Sequence, residues 1–226
     1  MKGAAFDPKR AVDLLAAGCL LVVGTPICLL IGLAIKLEDG GPVLFRQTRV
    51  GRRGVPFTLY KLRSMRLDAE AESGPQWALL NDERVTRIGA WIRALRIDEI
   101  PQAWNVLRGE MSFVGPRPER VEFVRLLSER IPGYERRHLV RPGITGWAQV
   151  NQPYSGTVEE ARLKHAFDLQ YLEQRSLRLD ARILLRTAKI LLFGWDAPGR
   201  ARRTEVDALV HPHPVGAREE RGEGVG

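Results

Sequence analysis

An adjacent pair of acids, Asp98 and Glu99, stands in a strongly basic sequence and is followed by an arginine between two prolines, Pro116-Arg117-Pro118. Carboxylates can act as nucleophiles or metal ligands, and the planar guanidinium of arginine matches the geometry of phosphate. The two prolines restrict the backbone on both sides of Arg117, which reduces the freedom lost when its side chain binds an anion. This block predicts a site for negatively charged substrates, in which the acids carry the chemistry and the arginines bind phosphate.

The same residues also have ordinary structural interpretations. Asp98, with Pro101 in the following turn, fits the start of a helix, and from local spacing alone a capping role for Asp98 is favoured. In a second interpretation, Arg93 and Arg96 pair with Asp98 and Glu99 on the surface, where such pairs contribute about 0–1 kcal/mol. A helix start also presents free N–H groups and a positive dipole end, so capping and phosphate binding are compatible.

The composition limits the classes of protein. The chain has 226 residues and a formal net charge of +8, which allows one sizeable domain and indicates an anionic partner, either nucleic acid, anionic lipid or a phosphorylated small molecule. Cys19 and Cys28 lie in one apolar stretch, which indicates neither a disulfide framework nor a zinc cluster. The four histidines are scattered, so a nucleophile activated by histidine is not indicated.

The N-terminal segment predicts a membrane anchor over residues 1–37. From Leu14 to Ile35 the chain runs for 22 residues without a charge, enough for a helix that crosses a hydrocarbon core of roughly 30 Å. Thr25-Pro26 lies near the midpoint, where proline disfavours a regular helix by about 3 kcal/mol. Basic residues flank both ends, so the positive-inside rule gives no orientation for a single crossing. We therefore expect a re-entrant helical hairpin broken at Thr25-Pro26, with a spanning helix as the alternative.

The remainder predicts a helix-rich α+β domain. Two β-prone runs, Pro42 to Val50 and Val55 to Leu62, are joined by a glycine- and arginine-containing turn and predict a hairpin, with Lys61 and Arg63 at its exit. Apolar residues at helical spacing predict two amphipathic helices that meet at Asp98 and Glu99. They are Ile88, Trp91, Ile92 and Leu95, and then Ile100, Ala103, Trp104 and Leu107.

Three further helices are predicted. Pro118 can open a helix to about Arg130, and Thr157 with Glu160 forms a capping-box pattern ahead of a helix to about Gln174. Leu179 to Phe193, with Arg178 just ahead of it, places basic residues near one face of a helix and leucines and isoleucines around the rest. It is interpreted equally well as an interfacial helix or as a surface helix, and its proximity to the anchor favours lipid. Its basic residues are Arg178, Arg182, Arg186 and Lys189. Residues 197–226 are expected to form a flexible tail.

The order of the motifs is more specific than any one of them. An apolar segment with a central proline precedes LFRQTRVG, YKLRSM, IDEIPQAWNVLRGEMSFVGPRP and RPGITGWAQVN. Over about Pro8 to Trp195 this order resembles the bacterial sugar transferase family, monotopic phosphoglycosyl transferases that initiate exopolysaccharide and other surface glycans. The resemblance implies that a hexose-1-phosphate moves from a UDP-sugar to undecaprenyl (polyprenyl) phosphate with release of UMP. It also implies a catalytic domain over residues 38–196 on the cytoplasmic face of the bacterial inner membrane.

The resemblance assigns roles to individual residues. It implies that Asp98 is the nucleophile that forms an aspartyl-phosphosugar intermediate, and that Glu99 together with Asp98 binds Mg²⁺. It implies phosphate binding by four basic residues, which are Arg93, Arg117, Lys61 and Arg63. The expected partners are a UDP-sugar, polyprenyl phosphate and membrane lipids, with no nucleic acid and with a homodimer allowed.

Two departures and one rival remain. Thr25-Pro26 stands where Ser-Pro is commoner in the family, and Gln152 follows Asn151 where many members have glycine, which leaves the sugar undetermined. The rival interpretation is a membrane-tethered basic binding or scaffold module without catalysis. It accounts for the charge and the anchor but leaves the ordered acid, proline and arginine motifs unexplained.

Overall fold

The structure is a computed structural model that describes residues 7–71, 74, 76, 82–152 and 157–194. The chain divides into two units, Met1–Asp196 and Ala197–Gly226. The second unit, for which the sequence predicts a flexible tail, lies outside the described residues. In chain order the helices and strands of the first unit are α1 Pro8–Asp39, β1 Leu44–Val50, β2 Pro56–Leu62, α2 Arg87–Ala94, α3 Gln102–Leu107, β3 Ser112–Val114, α4 Val121–Arg130, β4 Gly143–Thr145, α5 Trp147–Asn151, α6 Val158–Gln174 and α7 Leu177–Phe193.

The described unit is a helix-rich α+β structure, as the sequence predicts. β1 and β2 form an antiparallel hairpin from the Val50–Pro56 pair to the Leu44–Leu62 pair, and β3 and β4 form a short parallel pair. The hairpin connection closes through a single 3₁₀ turn that ends at Gly54, whose φ of 77° lies in the left-handed region that glycine adopts without strain. The predicted hairpin is therefore confirmed.

Helix α1 continues through Pro26, which differs from the expected break in the helix. Asp7 caps its start by accepting a hydrogen bond from the Arg10 amide, and Gly40 ends it with a φ of 73°. Thr25 and Pro26 both lie on its exposed side. The buried face continues on both sides of the proline, at Ala17 and at Ile31. Packing on the domain therefore compensates for the backbone hydrogen bond that Pro26 cannot donate.

One face of α1 packs on the domain along its length. Ala17 lies in a core with residues of β2 and α3, and Ile31 and Ile35 pack with Leu62 and Ile92. The opposite face is apolar and exposed, and α1 has the length and composition of a helix that could cross a membrane. The exposed residues are Val12, Leu14, Leu15, Val22, Val23, Ile27, Leu29, Leu30, Leu33 and Leu37.

Both ends of α1 are held by polar contacts to the same domain. At its start, Lys9 Nζ lies 2.5 Å from Asp180 Oδ2 at the beginning of α7, and Arg10 donates to the carbonyl of Val106 at 2.6 Å. At its end, Asp39 accepts two hydrogen bonds from the buried guanidinium of Arg63. The start and the end of α1 therefore lie on one body of protein.

The helices of the C-terminal half follow the predicted pattern with one difference. Thr157 and Glu160 form the predicted capping box at the start of α6. Helix α4 begins at Val121 rather than at Pro118. Residues 116–119 cannot begin a helix because their carbonyl groups accept hydrogen bonds from other parts of the chain.

Candidate active site

The acid pair lies in a tight turn between two helices. After α2, Arg96 adopts a left-handed conformation with a φ of 57°, and a 3₁₀ turn over Ile97–Glu99 leads through Pro101 into α3. Asp98 and Glu99 are each only 6% exposed. Pro101 occupies the N-cap position of α3, and no side chain caps that helix. The interpretation of Asp98 as a simple helix cap is therefore wrong.

Three cations converge on one oxygen of Glu99. Oε1 lies 2.9 Å from Lys61 Nζ, 3.2 Å from Arg117 Nη2 and 3.5 Å from Arg96 Nη1. Burial alone would raise the pKa of Glu99, but the charges of Lys61, Arg117 and Arg96 outweigh it and hold the pKa well below its usual range. Glu99 is thus a buried carboxylate whose charged form is favoured by three cations, rather than a partner in a surface ion pair.

Asp98 differs from its neighbour in both environment and bonding. Burial raises the pKa of Asp98 above its ordinary value, the adjacent charge of Glu99 adds to this effect, and Lys61 opposes it. Asp98 Oδ1 is buried and has no hydrogen-bond partner among the described residues. An ionised carboxylate of raised pKa is more basic than an ordinary one, and an oxygen without a partner can attack an electrophile.

Five of the six predicted site residues line one cavity and, in the part of the chain that the structure describes, are not paired with a residue outside the site. Asp98, Glu99, Lys61, Arg93 and Arg117 all line a cavity of ≈ 1540 Å³. Arg93 comes from the last turn of α2, and its side chain forms no ion pair within the described residues. This volume accommodates a nucleotide-sized ligand. The structure therefore brings the acids and these predicted phosphate-binding residues together.

The sixth residue, Arg63, lines the same cavity but has another partner. Its guanidinium binds both carboxylate oxygens of Asp39, with Nη1 at 2.6 Å from Oδ2. These two parallel hydrogen bonds fix the end of α1 to the end of β2. Arg63 is therefore an anchor for the helix, and phosphate binding by Arg63 stays a prediction.

The loop that carries Arg117 is fixed through its backbone. The carbonyl groups of residues 116, 117, 118 and 119 each accept a hydrogen bond from a distant donor, at 2.9–3.2 Å. The donors are, in that order, Gly143 N, Arg137 Nη2, Arg49 Nη1 and Val50 N. A backbone held at successive positions presents the Arg117 side chain to the cavity in a fixed direction.

Sequence reasoning missed the contribution of Arg96 and Arg137 to this site. The sequence indicates Arg96 only as a surface partner of the acids, although its position three residues before Glu99 was a usable signal. Arg137 donates a hydrogen bond to the carbonyl of Arg117, 20 residues earlier in the sequence. No local sequence pattern indicates such a contact.

The acid pair offers a metal ion two adjacent carboxylates. Within the described residues, no group of three or more His, Cys, Asp and Glu side chains could hold a metal ion. Mg²⁺ commonly binds through one or two carboxylates together with substrate phosphates. The unpartnered oxygen of Asp98, next to Glu99, fits that mode of binding.

Comparisons with known proteins agree with this geometry. The model of the bacterial sugar transferase family matches residues 4–194. The chain is 46% identical over 189 residues to a UDP-N-acetylgalactosamine-undecaprenyl-phosphate N-acetylgalactosaminephosphotransferase of Aeromonas hydrophila, which covers 84% of this chain and 44% of that protein.

The alignments with two further relatives cover a larger share of those proteins. A UDP-glucose:undecaprenyl-phosphate glucose-1-phosphate transferase of Caulobacter vibrioides is 48% identical over 188 residues, 81% of this chain and 69% of that protein. An exopolysaccharide production protein of Rhizobium leguminosarum is 42% identical over 184 residues, 79% of this chain and 92% of that protein. The chain thus spans less than half of the Aeromonas relative and most of the Rhizobium one. With its buried acid pair and converging cations, the chain belongs to the bacterial sugar transferase family.

Proposed function

We propose that this protein is a phosphoglycosyl transferase that moves a hexose-1-phosphate from a UDP-sugar to undecaprenyl phosphate and releases UMP. The observation that carries the proposal is the buried acid pair, in which Glu99 binds three cations while Asp98 Oδ1 has no partner among the described residues. The names of the Aeromonas and Caulobacter relatives give this reaction class, with N-acetylgalactosamine and glucose as their sugars. The proposed reaction would be the first membrane step of exopolysaccharide or another surface glycan.

In the first half-reaction, an oxygen of the Asp98 carboxylate attacks the phosphorus that carries the sugar. A bond forms between Asp98 and phosphorus, the bond from phosphorus to the bridging oxygen breaks, and UMP leaves with the electron pair. Attack by one anion on another requires cations, and Lys61, Arg117 and Arg96 already converge beside Asp98. Arg93 on the cavity wall supplies a further positive charge to the diphosphate.

In the second half-reaction, a phosphate oxygen of the polyprenyl phosphate attacks the same phosphorus. The new bond forms the lipid-linked diphosphate sugar, and cleavage of the bond to Asp98 restores the carboxylate. Glu99 stays charged throughout and keeps Lys61 and Arg117 in place, because its pKa lies well below its usual range. One buried site can therefore serve the soluble donor and the lipid acceptor in turn.

We include Mg²⁺ in the proposal, held by Asp98 and Glu99 together with the phosphates of the donor. When bound, it would neutralise charge on the diphosphate and favour departure of UMP. Lys61, Arg93 and Arg117 would orient the donor, and Arg63 would keep α1 against β2.

We also propose that the exposed apolar face of α1 lies in one leaflet of the bacterial inner membrane, with the catalytic domain on the cytoplasmic side. Both ends of α1 bind the same domain, through Lys9 with Asp180 and through Asp39 with Arg63. That arrangement favours a helix whose two ends lie on one side of the bilayer, and the re-entrant hairpin broken at Thr25-Pro26 stays a prediction. Exposed leucines and Phe193 near the end of α7 would add a second lipid contact. A homodimer stays a prediction.

The test is release of UMP by the purified chain with Mg²⁺, undecaprenyl phosphate and a panel that includes UDP-glucose and UDP-N-acetylgalactosamine. Asp98→Asn is expected to lower turnover by about 10³-fold or more. Asp68→Asn, at an exposed aspartate, is the matched control and should leave turnover unchanged.

Intact-mass measurement without the lipid acceptor separates the covalent route from its alternatives. Wild type is expected to gain the mass of one hexose-1-phosphate less one water, and this gain should disappear when undecaprenyl phosphate is added. Full turnover by Asp98→Asn would reject the covalent mechanism. Binding of lipid without UMP release from any UDP-sugar would support the rival, a non-catalytic membrane module.

A further inference from the structure

Arg137 and Asp168 form an ion pair in the interior of the domain, away from the cavity. The side chains of Arg137 and Asp168 are only 1% and 2% exposed. Arg137 Nε lies 2.9 Å from Asp168 Oδ2, and Nη2 lies 2.7 Å from the same oxygen. Arg137 is not among the described residues that line the cavity, so it is not placed to bind a substrate phosphate directly.

The other contacts of Arg137 point to the loop of the predicted phosphate-binding arginine. Nη2 donates to the backbone carbonyl of Arg117 at 2.9 Å, and Nη1 donates to the hydroxyl of Tyr134 at 2.8 Å. Asp168 therefore holds a guanidinium that in turn holds the backbone of Arg117. The Arg117 side chain leaves this fixed backbone in the direction of Glu99, 3.2 Å away.

Helix α6 holds the same loop at a second point. Lys164 lies one turn before Asp168, and its Nζ binds Glu119 Oε1 at 2.6 Å. Lys164 and Asp168 thus face the loop from successive turns of one helix, one through Glu119 and the other through Arg137. The loop around Arg117 is fixed by a rigid element that itself contributes little to the wall of the cavity.

Stability alone is a weak reason for this pair. Burial of an arginine and a carboxylate costs desolvation energy, and well-packed apolar side chains often stabilise a core equally well. An apolar pair, however, could not donate to the Arg117 carbonyl. The hydrogen bond to the loop is the property that requires arginine at position 137.

We propose that Arg137, oriented by Asp168, is a positioning residue that fixes Arg117 for binding of the diphosphate of the donor. This inference rests on the proposed function only in the identity of the donor. It predicts that Arg137 contributes to anion affinity entirely through Arg117.

A double-mutant cycle tests this dependence, with Arg137→Lys, Arg117→Ala and the double variant compared with wild type. The dissociation constant of inorganic pyrophosphate is measured by calorimetry on the full chain in detergent, with the thermal midpoint recorded in parallel. Lysine keeps the positive charge beside Asp168, but it cannot donate to both Asp168 and the Arg117 carbonyl as the guanidinium of arginine does. Arg137→Lys is expected to weaken pyrophosphate binding about tenfold with Arg117 present and to have no effect in Arg117→Ala.

Tyr171→Phe is the matched control. It removes the buried Tyr171 hydroxyl of α6, which donates to Asp180 and to the Val114 carbonyl. It should lower the thermal midpoint without changing pyrophosphate affinity. Equal weakening by Arg137→Lys in both Arg117 backgrounds would overturn the proposal. Unchanged affinity in the wild-type background would overturn it as well, because a purely structural pair lowers stability and not affinity.

If Arg137→Lys does not fold, Asp168→Asn enters the same cycle, with the same expected dependence on Arg117 and the same outcomes that reject it. Failure of the proposed function has a separate signature. If wild type binds pyrophosphate with the predicted cycle but releases no UMP from any UDP-sugar, the positioning role stands and the proposed function is rejected.

Discussion

Gly24 of α1 lies directly against Ile100, the residue that follows the acid pair. A Cβ atom on Gly24 would stand 2.6 Å from Ile100 Cγ2, closer than real Cβ contacts. The apolar helix therefore packs closely against the turn that carries the acid pair, and this approach depends on the missing side chain of Gly24. The glycine next to Thr25-Pro26 is a contact point between α1 and the site.

Gly24→Ala is expected to lower both stability and activity. Ile100 Cγ2 is attached directly to a branched Cβ, so relief of the clash must move α1 or the turn, at a cost of about 1–3 kcal/mol. Gly18→Ala is the matched control in the same helix, because nothing lies within 4 Å of its added Cβ. Gly18→Ala should stabilise α1 by about 0.5–1 kcal/mol. Thermal midpoints and UMP release measure both effects, and equal behaviour of the two variants would contradict the close packing.

Lys61→Met is expected to lower kcat/KM for the UDP-sugar by about 10²–10³-fold. It removes the shortest of the three cation contacts to Glu99, at 2.9 Å, and leaves more uncompensated negative charge beside Asp98. Lys61→Arg should recover part of the activity because it restores the charge. If Lys61→Met retains full kcat/KM, the cation cluster does not serve the transfer.

Variants of Arg63 and Asp39 separate an anchor from a phosphate ligand. Asp39→Asn weakens the pairing of a buried guanidinium, and Arg63→Met removes the contact that ties the end of α1 to β2. Both variants should lower the thermal midpoint, and both should have similar affinities for pyrophosphate. Much weaker pyrophosphate binding in Arg63→Met alone would restore the phosphate-binding role that the sequence predicted.

Stability is expected to fall as the pH decreases from about 6.5 to about 4. Burial, together with the charge of Arg137, lowers the pKa of His138 and of His165 to about 4, against about 6.5 in an unfolded chain. Between these values the unfolded chain binds more protons than the folded one, so acidification favours unfolding. His165→Leu should flatten the thermal midpoint against pH in this window, and an unchanged slope would show that His165 is not held neutral.

Cysteine labelling tests the position of the two ends of α1 relative to the bilayer. In a background of Cys19→Ser and Cys28→Ser, the single-cysteine variants Pro8→Cys and Lys36→Cys, both at exposed positions near the ends of α1, are labelled with a membrane-impermeant maleimide in inverted vesicles. Both positions should react from the cytoplasmic side, because both ends of α1 are tied to the catalytic domain. Reaction from opposite sides would establish a spanning helix.

Local patterns predict the elements whose causes are local. Two β-prone runs joined by a glycine- and arginine-containing turn predict the β1–β2 hairpin, and Thr157 with Glu160 predicts the start of α6. The junction of two helices at Asp98 and Glu99 also follows from the spacing of apolar residues, so the position of the turn with the acid pair is evident in the sequence.

The remaining features depend on contacts between distant parts of the chain. Pro26 predicts a break when α1 is considered alone, but the domain packs against both halves of the helix. The sequence predicts phosphate binding by Arg63 because nothing in the local pattern indicates its partner Asp39, 24 residues earlier. In the same way, Asp168 lies 31 residues after its partner Arg137. Such pairs form only after the chain has folded, and spacing in one sequence does not reveal them.

The contacts that hold α1 to the domain along its length would determine the route by which a membrane-bound acceptor reaches Asp98. Contacts at Lys9, Gly24 and Asp39 tie the helix to the domain that carries the acid pair. With α1 in a leaflet, as proposed, these contacts would hold the Asp98 carboxylate at a constant depth. A long-chain lipid phosphate would then reach it by lateral diffusion in two dimensions and would not have to be extracted from the bilayer.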